Sequence, residues 1–327
     1  MNCPGCLKEN QQEFCAKCRK ELFDGKKVSP VLSFNSPQKA TEPYFIEHTQ
    51  NISISGVQVK FSVKLENNQL ELTEKGGEFL IKPIPIGNFL HLEAAPANEH
   101  LTMQLARQAF KINVPPNALV YFRDGSPAYL VKRFDRKAGS NANEKFQQED
   151  FAQIAQRTSI THGENYKYDF SYEEIAALIR EHIKTYKIEM EKFFRVILFN
   201  YIISNGDAHL KNFSAIQSLQ GDYLLTPAYD LLCTKLHNPT ESDLALSLFK
   251  DEFTKAFEAY GFYTYQDFFE FGKKIGIKVS RAEKIIAPFQ KENKLVFKLI
   301  QNSFLNEAQK EIYIKNYLDR IKRMNMK

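Results

Sequence analysis

Ser204-Asn205-Gly206-Asp207-Ala208-His209-Leu210-Lys211-Asn212-Phe213, followed by Thr226-Pro227-Ala228-Tyr229-Asp230, is the stretch on which the reading of this chain turns. Transfer of a γ-phosphoryl group needs a carboxylate beside the attacking hydroxyl and oxygen ligands for the Mg²⁺ ions that neutralise phosphate charge. Asp207 can serve as the first, and Asn212 with Asp230 as the second. Residues 213–216 and 223–226 are short apolar runs joined by the polar stretch 217–222, which predicts a fold-back that returns Asp230 to the neighbourhood of Asn212. Upstream, residues 193–203 are apolar on nearly every face, as in a helix buried all round, so the loop leaves a rigid post. Read alone, Asn-Gly-Asp is also good turn chemistry in any protein.

The other parts of a nucleotide site occur upstream in a consistent order. Ser53-Ile54-Ser55-Gly56-Val57-Gln58 is a small-residue loop whose backbone NH groups could approach phosphate oxygens. It precedes an alternating run with Val59, Phe61, Val63 and Leu65 on one face. After the turn pairs Asn67-Asn68 and Gly76-Gly77, Glu78-Phe79-Leu80-Ile81-Lys82-Pro83 predicts a strand. Lys82 is then either the strand lysine that meets nucleotide phosphates or a solvated strand-end cation. A helix expected over 97–110 carries Glu99, which either pairs with Lys82 or is a solvated helix carboxylate. His209 is placed to steady the base or the transferring phosphate, or to order the loop by a hydrogen bond. Arg133 and Asp135 read as structural contacts, Arg136 as surface or site, and Lys211 as solvated.

Together with Asn98-Glu99-His100, Val131-Lys132-Arg133-Phe134-Asp135-Arg136 and Gln148-Glu149-Asp150, these motifs resemble the HipA-like serine/threonine kinases, toxin components of bacterial toxin–antitoxin systems, over most of the chain. The resemblance implies an α+β, two-lobed protein-kinase-like fold with a β-rich small lobe and a helical large lobe. It implies ATP with Mg²⁺, Asp207 as catalytic base, Asn212 and Asp230 as Mg²⁺ ligands, and Lys82 on the phosphates. Ser55, Gly56, Val57 and Gln58 would form the phosphate loop, with His209 also at the nucleotide. The backbone around Lys132 and Phe134 would be the hinge that receives adenine. The Ser-Ile-Ser loop looks like the HipT branch, in which a shorter kinase works with separately encoded partners and these serines, Ser53 and Ser55, are autophosphorylation sites. The implied partners are a HipS-like subunit and a HipB-like DNA-binding antitoxin, with DNA reached only through the antitoxin. The implied substrate is a translation component such as an aminoacyl-tRNA synthetase. Two other readings stay open: a kinase-fold binding module in an antitoxin–DNA complex, and a small-molecule kinase.

The length, 327 residues, is enough for two lobes, and 43% hydrophobic with 13% aromatic residues is the composition of a globular chain. The longest apolar stretch falls short of the roughly 20 residues of a membrane span, and the N-terminus has no signal-peptide core. A cytoplasmic protein without membrane contact is expected. The net charge of +5, from 44 basic and 39 acidic residues, is spread along the chain and reads mainly as solvated surface.

Cys3-x-x-Cys6 and Cys15-x-x-Cys18 can close the tetrahedral shell that Zn²⁺ prefers, the alternatives being a redox or an unliganded pair. Such a knuckle has little core, so metal would supply most of its folding free energy. Acidic and basic residues offset one another around it, which suits a structural or docking role as well as nucleic-acid contact. Cys233 reads as a small packed residue.

The expected organisation is a zinc knuckle over 1–28, an extended connector over 29–43 containing Pro30, Pro37 and Pro43, a small lobe over 44–136, and a helical large lobe over 137–327. Asp124-Gly125-Ser126-Pro127 predicts a hairpin turn. Ser171-x-x-Glu174 and Ser280-x-x-Glu283 read as capping boxes opening helices over 172–184 and 281–304, and a last helix is expected over 307–323. There is no internal repeat and no low-complexity tract.

Overall fold

The computed structural model describes residues 2–37, 59–136 and 144–326. Ser53, Ser55, Gly56, Val57 and Gln58, expected to form the phosphate loop, lie outside them. The chain divides into two compact units, one made of residues 1–104, 115–145 and 298–310, the other of 105–114, 146–297 and 311–327.

The first unit is built on an antiparallel sheet of β1 (Phe61–Glu66), β2 (Gln69–Leu72), β3 (Phe79–Pro83), β4 (Asn117–Tyr121) and β5 (Pro127–Lys132), in the order β2-β1-β3-β5-β4. Phe61 and Val63 alternate inward as the period-2 pattern requires. Asn67 and Asn68 both take positive φ (49° and 62°), so Glu66 pairs with Gln69 across a two-residue turn of the primed kind. The Asp124-Gly125-Ser126 turn joins β4 to β5: Phe122 N–H donates to the Ser126 carbonyl at 2.8 Å, and Gly125 has φ +83°.

Helix α1 (Ala16–Phe23) belongs to the same core. Phe14, Cys18, Leu22 and Phe23 are buried against Phe79 and Ile81 of β3. The segment 29–36 runs along the edge strand β4: Val31 bridges to Tyr121, Leu32 N–H donates to the Tyr121 carbonyl at 2.8 Å, and Leu32 and Phe34 are buried. Helix α2 (Ala95–Gln108) starts two residues before its expected limit, with Pro96 in the first turn, where its missing N–H costs no intrahelical bond.

In the second unit, α3 (Tyr172–His182) opens with the expected capping box, in which Ser171 and Glu174 satisfy each other's backbone N–H groups. It stops at His182 because Ile183 is extended. Helix α4 (Tyr186–Ile202) contains the apolar stretch but begins seven residues earlier, where Lys187, Glu189, Glu191 and Lys192 carry no apolar signal. The expected fold-back is the hairpin of β7 (Ser214–Gln217) and β8 (Tyr223–Leu225), and an unforeseen strand, β6 (Gln148–Asp150), pairs with β7. Helices α5 (Tyr265–Lys274) and α6 (Val279–Ile286) pack closely at Gly272, where a Cβ would lie 3.2 Å from both Ala282 Cβ and Phe194 Cζ.

The expected helix over 281–304 is wrong. Ser280 lies inside α6 and caps nothing; the N-cap is Lys278. Pro288 ends the run in a 3₁₀ turn, Ala287–Phe289, because it has no N–H and its ring clashes with the preceding turn. The chain restarts as α7 (Lys294–Gln301), with the Asn293 side chain accepting from Leu295 N–H at 2.9 Å. Helix α8 (Glu307–Arg323) has the expected limits.

Candidate active site

In the second unit, the loop after α4 is fixed from below. Ser204 takes φ +58° at the helix end, its hydroxyl accepting from Arg320 Nε at 3.1 Å; the buried Arg320 guanidinium pairs with Asp243 at 2.5 Å. Asn205 donates to Asn200 Oδ1 at 3.0 Å and accepts from Asp207 N–H at 3.2 Å. Gly206 N–H donates to Thr234 Oγ1 at 2.7 Å, and a Cβ on Gly206 would sit 2.5 Å from the Ser242 carbonyl, so only glycine fits. Asp207 is thereby held with its side chain 45% exposed, open to an incoming hydroxyl.

Two groups face that carboxylate. Tyr168 donates its hydroxyl to Asp207 Oδ1 at 2.5 Å, and burial with the Asp207 charge pushes the phenol's pKa upward, so it stays a donor. His209 Nε2 is 4.0 Å away. Burial lowers the His209 pKa to about 4, outweighing the Asp207 charge. The imidazole is therefore neutral near pH 7, and it packs edge-on against Tyr168 with ring centroids 5.1 Å apart. Burial is also the main cause that raises the pKa of Glu241, with the Asp207 charge adding to it.

The hairpin brings Asn212 and Asp230 together as the fold-back predicted. Asn212 Oδ1 accepts from His209 N–H at 3.1 Å, and its Nδ2 lies 3.4 Å from Asp230 Oδ2, at the outer limit of a hydrogen bond. Asp230 has φ +54°, a left-handed conformation of the kind that costs about 1–3 kcal/mol and gathers at functional sites. Tyr229 secures the return by bonding Ser214 Oγ at 2.5 Å and donating to the Lys211 carbonyl at 2.8 Å. Asn212 and Asp230 line a cavity of about 190 Å³ with Ala208, Phe193 and Asn200. The Asp230 carboxylate and the Asn212 amide oxygen are hard donors of the kind that suit Mg²⁺, with the amide here turning its nitrogen toward Asp230 and its oxygen toward His209 N–H. Asp230→Asn removes the charged one and is expected to weaken Mg²⁺-dependent nucleotide affinity about 10-fold or more without loss of fold. Calorimetry with Mg²⁺-ATP checks this; unchanged affinity and turnover would remove Asp230 from the site.

In the first unit, Lys82 on β3 points its ammonium at Glu99 on α2, with Nζ–Oε1 2.5 Å, and the two residues are only 4% and 3% exposed. Of the two readings of Glu99, the structure places it on Lys82. The Lys82 ammonium also lies 5.4 Å from the centre of the Tyr129 ring, its neighbour across the strands. At the end of β5, Lys132 N–H and Arg133 N–H donate to the carbonyls of Pro116 and Glu78, both at 2.8 Å. Lys132 reaches toward Asp24 at 3.5 Å, and Arg133 clamps Asp135 through two bonds, of 2.9 and 2.5 Å. Phe134 lies in the turn that follows β5.

The Sγ atoms of Cys3, Cys6, Cys15 and Cys18 all lie within 4.8 Å of one another. Hydrogen bonds from Cys18 and Cys6 favour Cys3 as the thiolate and hold its pKa far down, whereas the bond to Cys3 pushes Cys18 far up. Cys233 is buried and packed, with its thiol raised to about 11 mainly by burial.

Tyr168, Thr234 and Arg320 were absent from the sequence reading. Each acts across a long separation in sequence, and none belongs to a local motif.

A strand lysine paired to a helix glutamate, and a loop carrying Asp207, Asn212 and Asp230, are parts of a protein-kinase-like phosphotransfer fold. Residues 52–295 match the family model described as HipA-like C-terminal domain, and the chain belongs to that family. A Haemophilus influenzae protein named "Putative kinase" is 29% identical over 98% of this chain and 95% of its own length. The Shewanella oneidensis serine/threonine-protein kinase toxin HipA is 24% identical over 62% of this chain, which spans 47% of that relative. Among solved structures, the fold matches a chain of the Shewanella oneidensis MR-1 toxin–antitoxin complex of HipA, HipB and operator DNA, with TM-score 0.65 and 20% identity over 88% of this chain and 74% of that one. It also matches the Helicobacter pylori proinflammatory kinase CtkA, with TM-score 0.52 and 14% identity over 80% and 90%. These likenesses establish an α+β kinase-like fold.

Proposed function

We propose that the chain is an ATP- and Mg²⁺-dependent serine/threonine protein kinase and the toxin component of a toxin–antitoxin system. The observation that carries this reading is the buried Lys82–Glu99 pair. A lysine so placed holds its ammonium for nucleotide phosphates, and an inactive scaffold would have little reason to keep the buried charges. ATP with Mg²⁺ supplies the phosphoryl group and the charge neutralisation. Lys82 binds the phosphates, and Asn212 and Asp230 provide the oxygen donors for the metal. Asp207 orients the attacking hydroxyl and takes its proton, while the Tyr168 hydroxyl fixes the rotamer of that carboxylate. Neutral His209 orders the loop and carries no positive charge for the phosphate.

In this reading Ser53 and Ser55 are self-modified, and the added charge of about −1.5 to −2 per phosphate repels nucleotide from the loop or draws the loop toward basic side chains such as Lys60. Phosphosite mapping of wild type beside Asp207→Ala tests the self-modification. Phosphate on Ser53 or Ser55 in wild type alone is expected, and unmodified serines in active protein would end the regulatory idea.

The substrate we favour is a translation component such as an aminoacyl-tRNA synthetase, and the setting is cytoplasmic. Among the described residues no helix is long and apolar enough to cross a membrane. The Shewanella neighbour was solved with HipB and operator DNA. By extension, a HipB-like antitoxin and a HipS-like subunit are the proposed partners here, with DNA reached through the antitoxin. Affinity purification at mild salt after co-expression is expected to recover a complex. Recovery of the chain alone would count against these partners.

A further inference from the structure

We infer that the four-cysteine cluster is a Zn²⁺ site whose occupancy holds the Lys82–Glu99 pair in place, with His100 as the positioning residue between them. The consequence for nucleotide binding rests on the kinase reading, but the metal site and its link to α2 do not.

The geometry is that of a metal shell. Cys3 Sγ lies 3.8 Å from Cys18 Sγ, and Cys6 Sγ lies 3.8 Å from Cys15 Sγ. A tetrahedron of Zn–S bonds of about 2.3 Å has edges of about 3.8 Å, whereas a disulfide would bring sulfurs to about 2.05 Å. Cys15 N–H donates to Cys3 Sγ at 3.3 Å, and Cys3 N–H is tied to the Lys8 carbonyl at 2.8 Å, as in a ligand loop wrapped on its ion. Gly5 is required inside that loop, since a Cβ there would meet Cys18 Sγ at 2.7 Å.

The loop bonds directly to α2, which carries Glu99, and to β4, and it reaches β3, which carries Lys82, through α1. The Gly5 carbonyl, between Cys3 and Cys6, accepts from His100 Nε2 at 3.3 Å. His100 follows Glu99 on α2 and is 1% exposed; among the described residues its Nδ1 has no hydrogen-bond partner, so the bond to Gly5 and the packing on the Phe304 ring, with centroids 6.1 Å apart, orient it. The neighbouring Pro4 carbonyl accepts from Leu119 N–H of β4 at 2.9 Å. On the other side, Cys18 starts the buried face of α1, and Phe23 at the end of that helix packs on Phe79 with ring centroids 5.7 Å apart. Phe79 is three residues before Lys82 on β3. Residues 2–15 hold little regular structure of their own, so with the ion removed the Gly5 carbonyl that meets His100 loses its anchor, while Phe14, Leu22 and Phe23 stay packed in the sheet core.

The test uses the full chain. Protein purified without chelator is expected to contain one zinc per chain by elemental analysis, and protein without zinc would overturn the site. Chelation in the presence of a thiol reductant is expected to weaken Mg²⁺-ATP affinity about 10-fold, with recovery on adding ZnCl₂. His100→Ala should keep its zinc yet show the same weakening, and His100→Gln, whose amide can donate to Gly5, should restore part of it. Equal affinities in all forms would overturn the coupling. If zinc-loaded wild type binds no nucleotide, the kinase reading fails, and the coupling is read instead from hydrogen exchange at residues 98–102. Exchange there is expected to rise about 10-fold on zinc removal, and unchanged exchange would overturn the inference.

Discussion

Lys82→Met is expected to destabilise the protein by about 3–5 kcal/mol, because it takes the ammonium from beside the buried Glu99 carboxylate. Glu99→Leu should cost a similar amount by stranding the ammonium. The double variant Lys82→Met/Glu99→Leu removes both charges from a buried site bordered by Tyr129, and replacing a buried pair by apolar groups of similar volume is often neutral or stabilising. It should therefore recover most of the stability while binding Mg²⁺-ATP no better than the single variants. Urea unfolding of the four proteins closes the cycle. A double variant whose loss equals the sum of the singles would mean that the two side chains act independently, contrary to the contact seen here.

Asp207→Ala should behave in the opposite way, with stability kept and chemistry lost. The side chain is 45% exposed, and substitutions at such places usually fall within about 0.5 kcal/mol. The loss of a general base lowers the rate by about 10²–10⁴-fold. Nucleotide affinity should change little, since the proposed metal ligands Asn212 and Asp230 and the proposed phosphate lysine Lys82 remain. Single-turnover transfer from labelled ATP beside calorimetry separates the two quantities. Loss of ATP affinity with normal residual transfer would assign Asp207 to binding and leave the base unidentified.

The parts of the site that could be read in advance are those whose partners are close in sequence or whose chemistry is carried by spacing. The meeting of Asn212 with Asp230 was readable because a short hairpin closes the distance between them. The gathering of the four cysteines was readable because two Cys-x-x-Cys pairs lie close in sequence. Glu99 was only half readable, since its helix follows the Lys82 strand but the pairing depends on how α2 lies against the sheet. Tyr168, 39 residues from Asp207, was invisible, because an aromatic in a non-periodic stretch gives no sign of what its hydroxyl will meet. Arg320 was invisible for the same reason, since its contacts to Ser204 and Asp243 are made only after α8 docks. Over 281–304, Pro288 outweighs the Ser280–Glu283 spacing, because a residue that cannot continue a helix ends it whatever precedes it. The knuckle was expected to be a nearly coreless appendage, whereas Phe14, Leu22 and Phe23 share the core of the sheet that carries Lys82.

The central claim is that this chain transfers a phosphoryl group through Asp207 with a metal held by Asn212 and Asp230. Incubation of wild type, Asp207→Ala and Asp230→Asn with γ-labelled ATP, with and without Mg²⁺, tests it most directly. The expected result is Mg²⁺-dependent labelling of serine or threonine by wild type, labelling slowed about 10²-fold or more by Asp207→Ala, and labelling by Asp230→Asn weakened at limiting Mg²⁺-ATP. Folded wild-type protein that binds Mg²⁺-ATP yet labels neither itself nor any protein of a cell extract would contradict the claim and leave a binding module as the better account.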